Sequence, residues 1–142
     1  MVNIVHETII RAEPDRVYQA LTEPDQLASW YAPDIEAEPR VGSVAEFHFS
    51  RGTIRVEIAA LEPEQKVAWK VLEGLSGWEG ATGEMTWMLR PNPFGAGTML
   101  NYSHSGWPTM DGPYPSTNFM SGWYLSRLKA FMETGEPVVA AS

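Results

Sequence analysis

Residues 115–133 read PSTNFMSGWYLSRLKAFME, and Thr134, Gly135 and Pro137 follow. A proline at the start and a glycine and proline just past the end predict one long helix from Pro115 to Glu133. With Met120 at zero and roughly 100° per residue, Phe131, Tyr124, Leu128, Met132 and Leu125 fall within an arc of about 140°, with Trp123 about 60° to the other side. Lys129, Glu133, Ser126 and Gly122 fill the narrow polar strip that remains. A helix apolar around most of its circumference needs a broad apolar surface to lie on, and the rest of the chain must supply it.

Working back from the helix, the chain reads as strands. Thr98 to Ser105 puts Leu100, Tyr102 and His104 on one face, and the strand before it does the same with Met85, Trp87 and Leu89. Val67, Trp69 and Val71 continue a dry face opposed by Ala68 and Lys70. Ile54, Val56 and Ile58 alternate with Thr53, Arg55 and Glu57, while Ala45, Phe47 and Phe49 alternate with Glu46 and His48 across a tight Arg51-Gly52 hairpin. Ile35 to Glu38 is a shorter strand, and Val2 to Ala12 alternates with Ile4, His6, Thr8 and Ile10 on one side. Between these last two the period changes. Pro14 opens a helix carrying Val17, Tyr18 and Leu21, and Pro24 to Tyr31 forms a second, ending before Pro33. The order is one strand, two short helices, about six hairpin-linked strands and one long helix, which is an α+β antiparallel sheet of about seven strands. Such a sheet curls, and one helix across its concave face encloses an interior lined by the dry residues.

Gly74, Gly77, Gly80 and Gly83 recur every third residue. A phosphate cradle needs a helix after it, but a strand follows here, so the segment is expected to be a mobile loop.

The chain has 142 residues, 44% hydrophobic and 20% charged, and one domain over residues 1–142 is expected. No apolar run approaches the roughly 18 residues of a membrane span. Eighteen acids against ten bases give a net charge of -8 with no basic cluster, which argues against nucleic-acid partners and membrane insertion. The start lacks the basic and apolar regions of a signal peptide, and there is no cysteine, so a cytoplasmic location is expected.

The stretches Leu27-Ala28-Ser29-Trp30-Tyr31, Gly42-Ser43-Val44-Ala45-Glu46-Phe47, Gly97-Thr98 through His104-Ser105-Gly106-Trp107, and Gly122-Trp123 before Leu125, Leu128 and Phe131 resemble the SRPBCC (START and birch-pollen-allergen-like) superfamily. Within it, the chain is most similar to the branch named after the activator of the ninety-kilodalton heat-shock-protein ATPase. The resemblance covers nearly the whole chain, although its motifs are packing and turn signatures. It implies a helix-grip fold: a curved sheet wrapped around the C-terminal helix, with a deep cavity between them. It also implies hydrophobic ligands, and for some members cyclisation or dehydration of polyketides.

Six Trp and five Tyr need burial, either in a packed core or around a cavity. Trp69, Trp87 and Trp123 are expected to meet between sheet and helix, with Phe47, Phe49 and Phe119 nearby and Ile54, Val56 and Met85 on the same dry face. Trp30, Tyr31 and Trp107 are expected at an entrance, where an exposed rim could equally be a homodimer contact. His104 and Tyr102 share that interior face. Either His104 bonds a backbone carbonyl near Gly106, or it faces the pocket, where it could hold a ligand or, with Tyr102, move protons. Arg127, beside the apolar arc, either snorkels or anchors an anion. No cofactor is implied. A metal site is not expected, since no histidine pair has ligand spacing with a carboxylate beside it, and no nucleophile elbow is present. Glu36, Glu46, Glu57 and Glu84 mostly share parity with the wet face, away from any cavity. Three readings follow: a module binding a small hydrophobic molecule, a cofactor-free cyclase or dehydratase using His104 and Tyr102, and a protein-interaction module related to the ATPase activators.

Overall fold

The computed structural model describes residues 1–78 and 83–138. Strand β1 spans Val2–Ile10, helix α1 Pro14–Thr22 and helix α2 Pro24–Trp30, followed by β2 Asp34–Glu36, β3 Val44–Phe49, β4 Gly52–Glu62, β5 Lys66–Glu73, β6 Glu84–Pro91, β7 Thr98–Trp107 and helix α3 Tyr114–Thr134. All seven strands form one antiparallel sheet in the order β1-β7-β6-β5-β4-β3-β2. Strands β2 to β7 run as a meander because short turns join consecutive strands, and β1 closes against β7. The α+β antiparallel sheet expected from the element order and the helix-grip architecture implied by the resemblance are both observed.

Opposite charges face one another on the wet side of the sheet. Glu46 stands across from Arg55, Glu57 from Lys70, and Lys70 from Glu84, pairings that fix register as well as solubilise the surface. On the dry side Ala45, Phe47, Ile54, Val56, Val67, Trp69, Met85, Trp87 and Leu100 are buried. Removing about 200 Å² of a tryptophan from water is worth at most about 5 kcal/mol, so Trp69 and Trp87, with ring centroids 4.3 Å apart, are principal anchors of the layer.

Helix α3 behaves as two halves. Leu125, Leu128 and Met132 are buried in its C-terminal half, whereas no residue from 115 to 124 is fully buried. At its C-terminal end Lys129 Nζ donates to Ile9 O at 2.6 Å and to Glu133 Oε2 at 2.8 Å, and the Arg11 backbone N–H donates to the same carboxylate oxygen at 2.9 Å. Gly135, with φ of 76°, ends the helix in the left-handed conformation that a side chain would disfavour. The N-terminal half rests on β1, where the Tyr114 hydroxyl donates to Asn3 O at 3.1 Å and His6 Nε2 donates to Asn118 O at 3.1 Å, and stands off the middle strands of the sheet.

Three sequence expectations are corrected here. Trp107 belongs to β7 and is buried, Trp30 is buried too, and neither forms an exposed rim. Trp30 Nε1 instead donates to Ala20 O at 2.7 Å, tying α2 to α1. Trp123 does not meet Trp69 and Trp87: it is 44% exposed, and Phe119, one turn before it, is 74% exposed. The glycine segment expected to be a mobile loop lies partly outside the described residues, and its described part carries a buried side chain. Trp78 is 9% exposed, and a Cβ on Gly74 would overlap its ring, so glycine is what lets the chain fold Trp78 inward. Gly80 lies outside the described residues.

Candidate functional site

Between the sheet and the N-terminal half of α3 lies a cavity of about 220 Å³. The sheet supplies Ile54 from β4, Met85 and Trp87 from β6, and Tyr102 and His104 from β7; Phe49 and Arg51 come from the β3–β4 hairpin. Trp30 and Tyr31 at the end of α2 close one flank, and Leu75, Ser76 and Trp78 close another. The roof is α3 and the residue before it: Pro113, Ser116, Thr117, Met120, Ser121, Tyr124 and Leu125.

Of the residues expected to bind a ligand, the cavity brings together Trp30, Tyr31, Phe49, Ile54, Met85, Trp87, Tyr102 and His104. Phe47, Val56 and Trp69 have the right parity but lie where the layers interlock. The Trp69 ring is packed between Phe47, 4.7 Å away, and Trp87. Trp107 sits behind the wall, 5.0 Å from His104. Phe119 and Trp123 face outward. Sequence reasoning did not find Arg51, Trp78 or the serines and threonine of α3. Trp78 lies in an aperiodic segment, but the roof was findable, because Ser116, Thr117 and Ser121 flank Met120 and Tyr124 on the wheel.

Tyr31 is the hub of the aromatic wall. Its ring centroid lies 5.1 Å from Trp30 and from Phe47, 5.4 Å from Phe49, 5.5 Å from Trp69 and 5.3 Å from Tyr124. Edge-on geometry dominates these contacts, as ring quadrupoles favour. Burial drives the Tyr31 hydroxyl well above the ordinary phenol range, with the neighbouring Tyr102 and Tyr124 hydroxyls adding to it. Burial likewise raises Tyr102, although a hydrogen bond with Ser121 pulls the other way.

His104 is fully buried, opposite Ile4 on β1 and Met85 on β6. Trp78 and Trp107 meet its ring edge-on at 5.1 and 5.0 Å. Neither ring nitrogen has a hydrogen-bond partner among the described residues, so the expected alternative of a bond to a carbonyl near Gly106 is not what is observed. Burial pushes its pKa down to about 4. At neutral pH the ring is therefore uncharged, with one N–H to donate and one lone pair to accept. Trp87 Nε1 is also without a partner. Unsatisfied buried groups of this kind each cost about 1–3 kcal/mol, which a polar group arriving beside them would offset.

Arg127 lies outside the cavity wall. Its guanidinium carbon is 4.6 Å from the Trp123 ring centroid and 5.4 Å from that of Tyr124, and one amino group donates to Val138 O at 3.3 Å. It caps the outer aromatics and does not point inward. No carboxylate lines the cavity among the described residues. On the outer edge of the sheet Glu36, Glu46 and His48 bring ligand-type atoms within 4.8 Å of one another, a grouping the search for histidine pairs passed over. His48 there bonds Glu36 at 3.0 Å and Thr53 at 2.9 Å. The Glu36 bond raises the His48 pKa and lowers that of Glu36, and Arg55 Nε lies 3.9 Å from Glu46 Oε1.

Residues 11–133 match the family described as Activator of Hsp90 ATPase homolog 1-like protein. The chain belongs to this family. Among solved structures, the Aha1 dimer from Colwellia psychrerythraea is 31% identical, with 95% of this chain and 98% of that one covered and a TM-score of 0.86. Protein MLL2253 from Mesorhizobium loti is 23% identical over 93% and 97% of the two chains, with a TM-score of 0.79. DynU16, from the dynemicin biosynthetic locus, is 24% identical over 95% of this chain and 48% of that one, with a TM-score of 0.73. The last two show the shared fold alone. No curated protein matches this Hsp90-activator-like chain in sequence. None of its described helices is long and apolar enough to cross a membrane.

Proposed function

We propose that this chain is a binding module for a small aromatic molecule held between the sheet and the N-terminal half of α3. One observation carries the reading: a cavity of about 220 Å³ walled by Trp30, Tyr31, Trp78 and Trp87, beside a buried His104 whose ring nitrogens have no partner among the described residues. A cavity of about 150 Å³ accepts benzene, so this one suits one or two rings. That size supports a smaller ligand than an extended polyketide. The cyclase or dehydratase alternative asks His104 and Tyr102 to exchange protons with a substrate. Burial opposes this, since a base with a pKa of about 4 is weak and the Tyr102 proton is held beyond the ordinary phenol range.

Titration calorimetry with 2-naphthol tests the reading. One site with a Kd on the order of 10–100 µM is expected for a ligand of this size, weakened at least tenfold by Ser121→Trp, whose indole would take up most of the space under the roof. Undiminished binding in the variant would refute the location.

A second surface is proposed as a contact between two copies. Phe119 and Trp123 stand exposed one turn apart on α3, with Ser116, Ser126 and Ala130 exposed beside them and no carboxylate in the stripe. A stripe free of acids, with the Arg127 guanidinium over Trp123, is where molecules of charge -8 can meet with least repulsion, and the 31% identical Colwellia relative is a dimer. We propose a cytoplasmic single domain over residues 1–142, in keeping with its lack of cysteine.

A further inference from the structure

We infer that the ligand of this cavity carries an acidic group, a carboxylate on an aromatic ring, which sits at the mouth between Arg51 and the first turn of α3. The inference rests on the binding reading above and extends it from an apolar ring to an aromatic acid. Arg51 is the one charged side chain lining the cavity among the described residues. It projects from the tip of the β3–β4 hairpin, exposed, and its guanidinium makes no ion pair or hydrogen bond with any described residue.

The roof points to the same charge. Pro113 and Ser116 line the cavity at the N-terminus of a 21-residue helix, whose first turn contains no acidic residue and no capping side chain. The Ser116 backbone N–H has no acceptor among the described residues. The Tyr114 and Thr117 amides donate to Asp111 O and Pro113 O and Pro115 has none, so Ser116 N–H is the one open donor at a helix end whose partial positive charge favours an anion. Further in, fully buried His104 offers a ring whose two nitrogens have no partner among the described residues, suited to a second polar substituent on the ring.

The rest of the molecule makes this local charge selective. At a net charge of -8 the protein repels anions over most of its surface, so an acid that enters does so for what the mouth provides. The aromatic walls supply affinity for the ring, and the mouth distinguishes the acid from its neutral analogues. Guanidinium and carboxylate match as planar, two-pronged partners.

The test compares 2-naphthoate with 2-naphthamide, equal in shape and different in charge, by calorimetry on the whole chain. Naphthoate is expected to bind about tenfold more tightly, from roughly 1.4 kcal/mol of combined arginine and helix-end attraction at a partly solvated site. Arg51→Gln should cut that preference to about twofold by weakening naphthoate more than naphthamide, and Arg51→Lys, which keeps the charge without the two-pronged fork, should keep part of it. Added salt should narrow the preference in wild type. Equal binding of acid and amide, or a preference untouched by Arg51→Gln, would overturn the inference while leaving the cavity reading in place. Binding of neither compound would overturn both.

Discussion

Acidification from pH 7 to pH 5 should destabilise this protein through His104, and the size of the effect follows from its burial. The unfolded imidazole titrates at 6.5 and the folded one at about 4, so between those values the unfolded chain binds the extra proton. A histidine with a depressed folded pKa contributes stability that is complete above 6.5 and is lost as pH falls toward 4. Integrating from pH 7 to pH 5 gives a loss of about 2 kcal/mol, or roughly 5–8 °C in Tm for a chain of this length. The raised pKa of His48 works in the opposite sense, adding stability as pH falls. The decisive comparison is therefore with His104→Phe. A phenyl ring keeps the edge-on contacts with Trp78 and Trp107 and removes two unpartnered nitrogens, so its stability at pH 7 should lie within about 1 kcal/mol of wild type. Thermal melts monitored by circular dichroism at half-unit pH steps provide the assay. If wild type and His104→Phe lose stability in parallel between pH 7 and pH 5, His104 is not the buried neutral group described.

Gly74→Ala should cost about 1–3 kcal/mol, because its Cβ meets the Trp78 ring; tryptophan fluorescence should shift to the red as that ring moves toward solvent. Glu133→Gln addresses the far end of the helix. Lys129, with help from the Arg11 backbone, holds the Glu133 carboxyl down to about 2, so its support is complete above pH 4.5 and is lost as pH falls through 2. The substitution should cost about 1 kcal/mol at pH 7, allowing for partial exposure, and flatten the acid limb of a stability profile in that window. Phe119→Glu should dissociate the proposed dimer in sedimentation velocity without changing the melting profile of the monomer. A wild-type monomer at all concentrations would remove that contact.

The strands were legible because each has one wet and one dry face, and alternation such as Ile54, Val56, Ile58 against Thr53, Arg55, Glu57 survives in the structure as burial. Helix α3 was legible from its punctuation. The site was legible only on its sheet side, where Met85, Trp87, Tyr102 and His104 share parity. Parity cannot say how far along a strand the layers part. Hence Phe47, Val56 and Trp69 were grouped with residues that line the cavity, although they lie where the layers interlock. On α3 the wheel itself argued against Trp123, which falls outside the apolar arc; hydrophobicity outweighed angle in the reading, and the residue is half out in solvent. Arg51 and Trp78 come from a hairpin tip and an aperiodic segment, where position is set by tertiary contacts that no local period encodes.

Binding of a ring requires that the sheet and the N-terminal half of α3 stand apart around ring-sized space. A crystal structure of the protein grown with 2-naphthol would show whether they do. One ring system is expected in difference density among Tyr31, Trp87, Tyr102 and Tyr124, with its hydroxyl within hydrogen-bond distance of His104. Side chains of α3 packed directly onto Trp87, leaving no room for a ring beyond the existing Ser121–Tyr102 contact and no density there, would refute it.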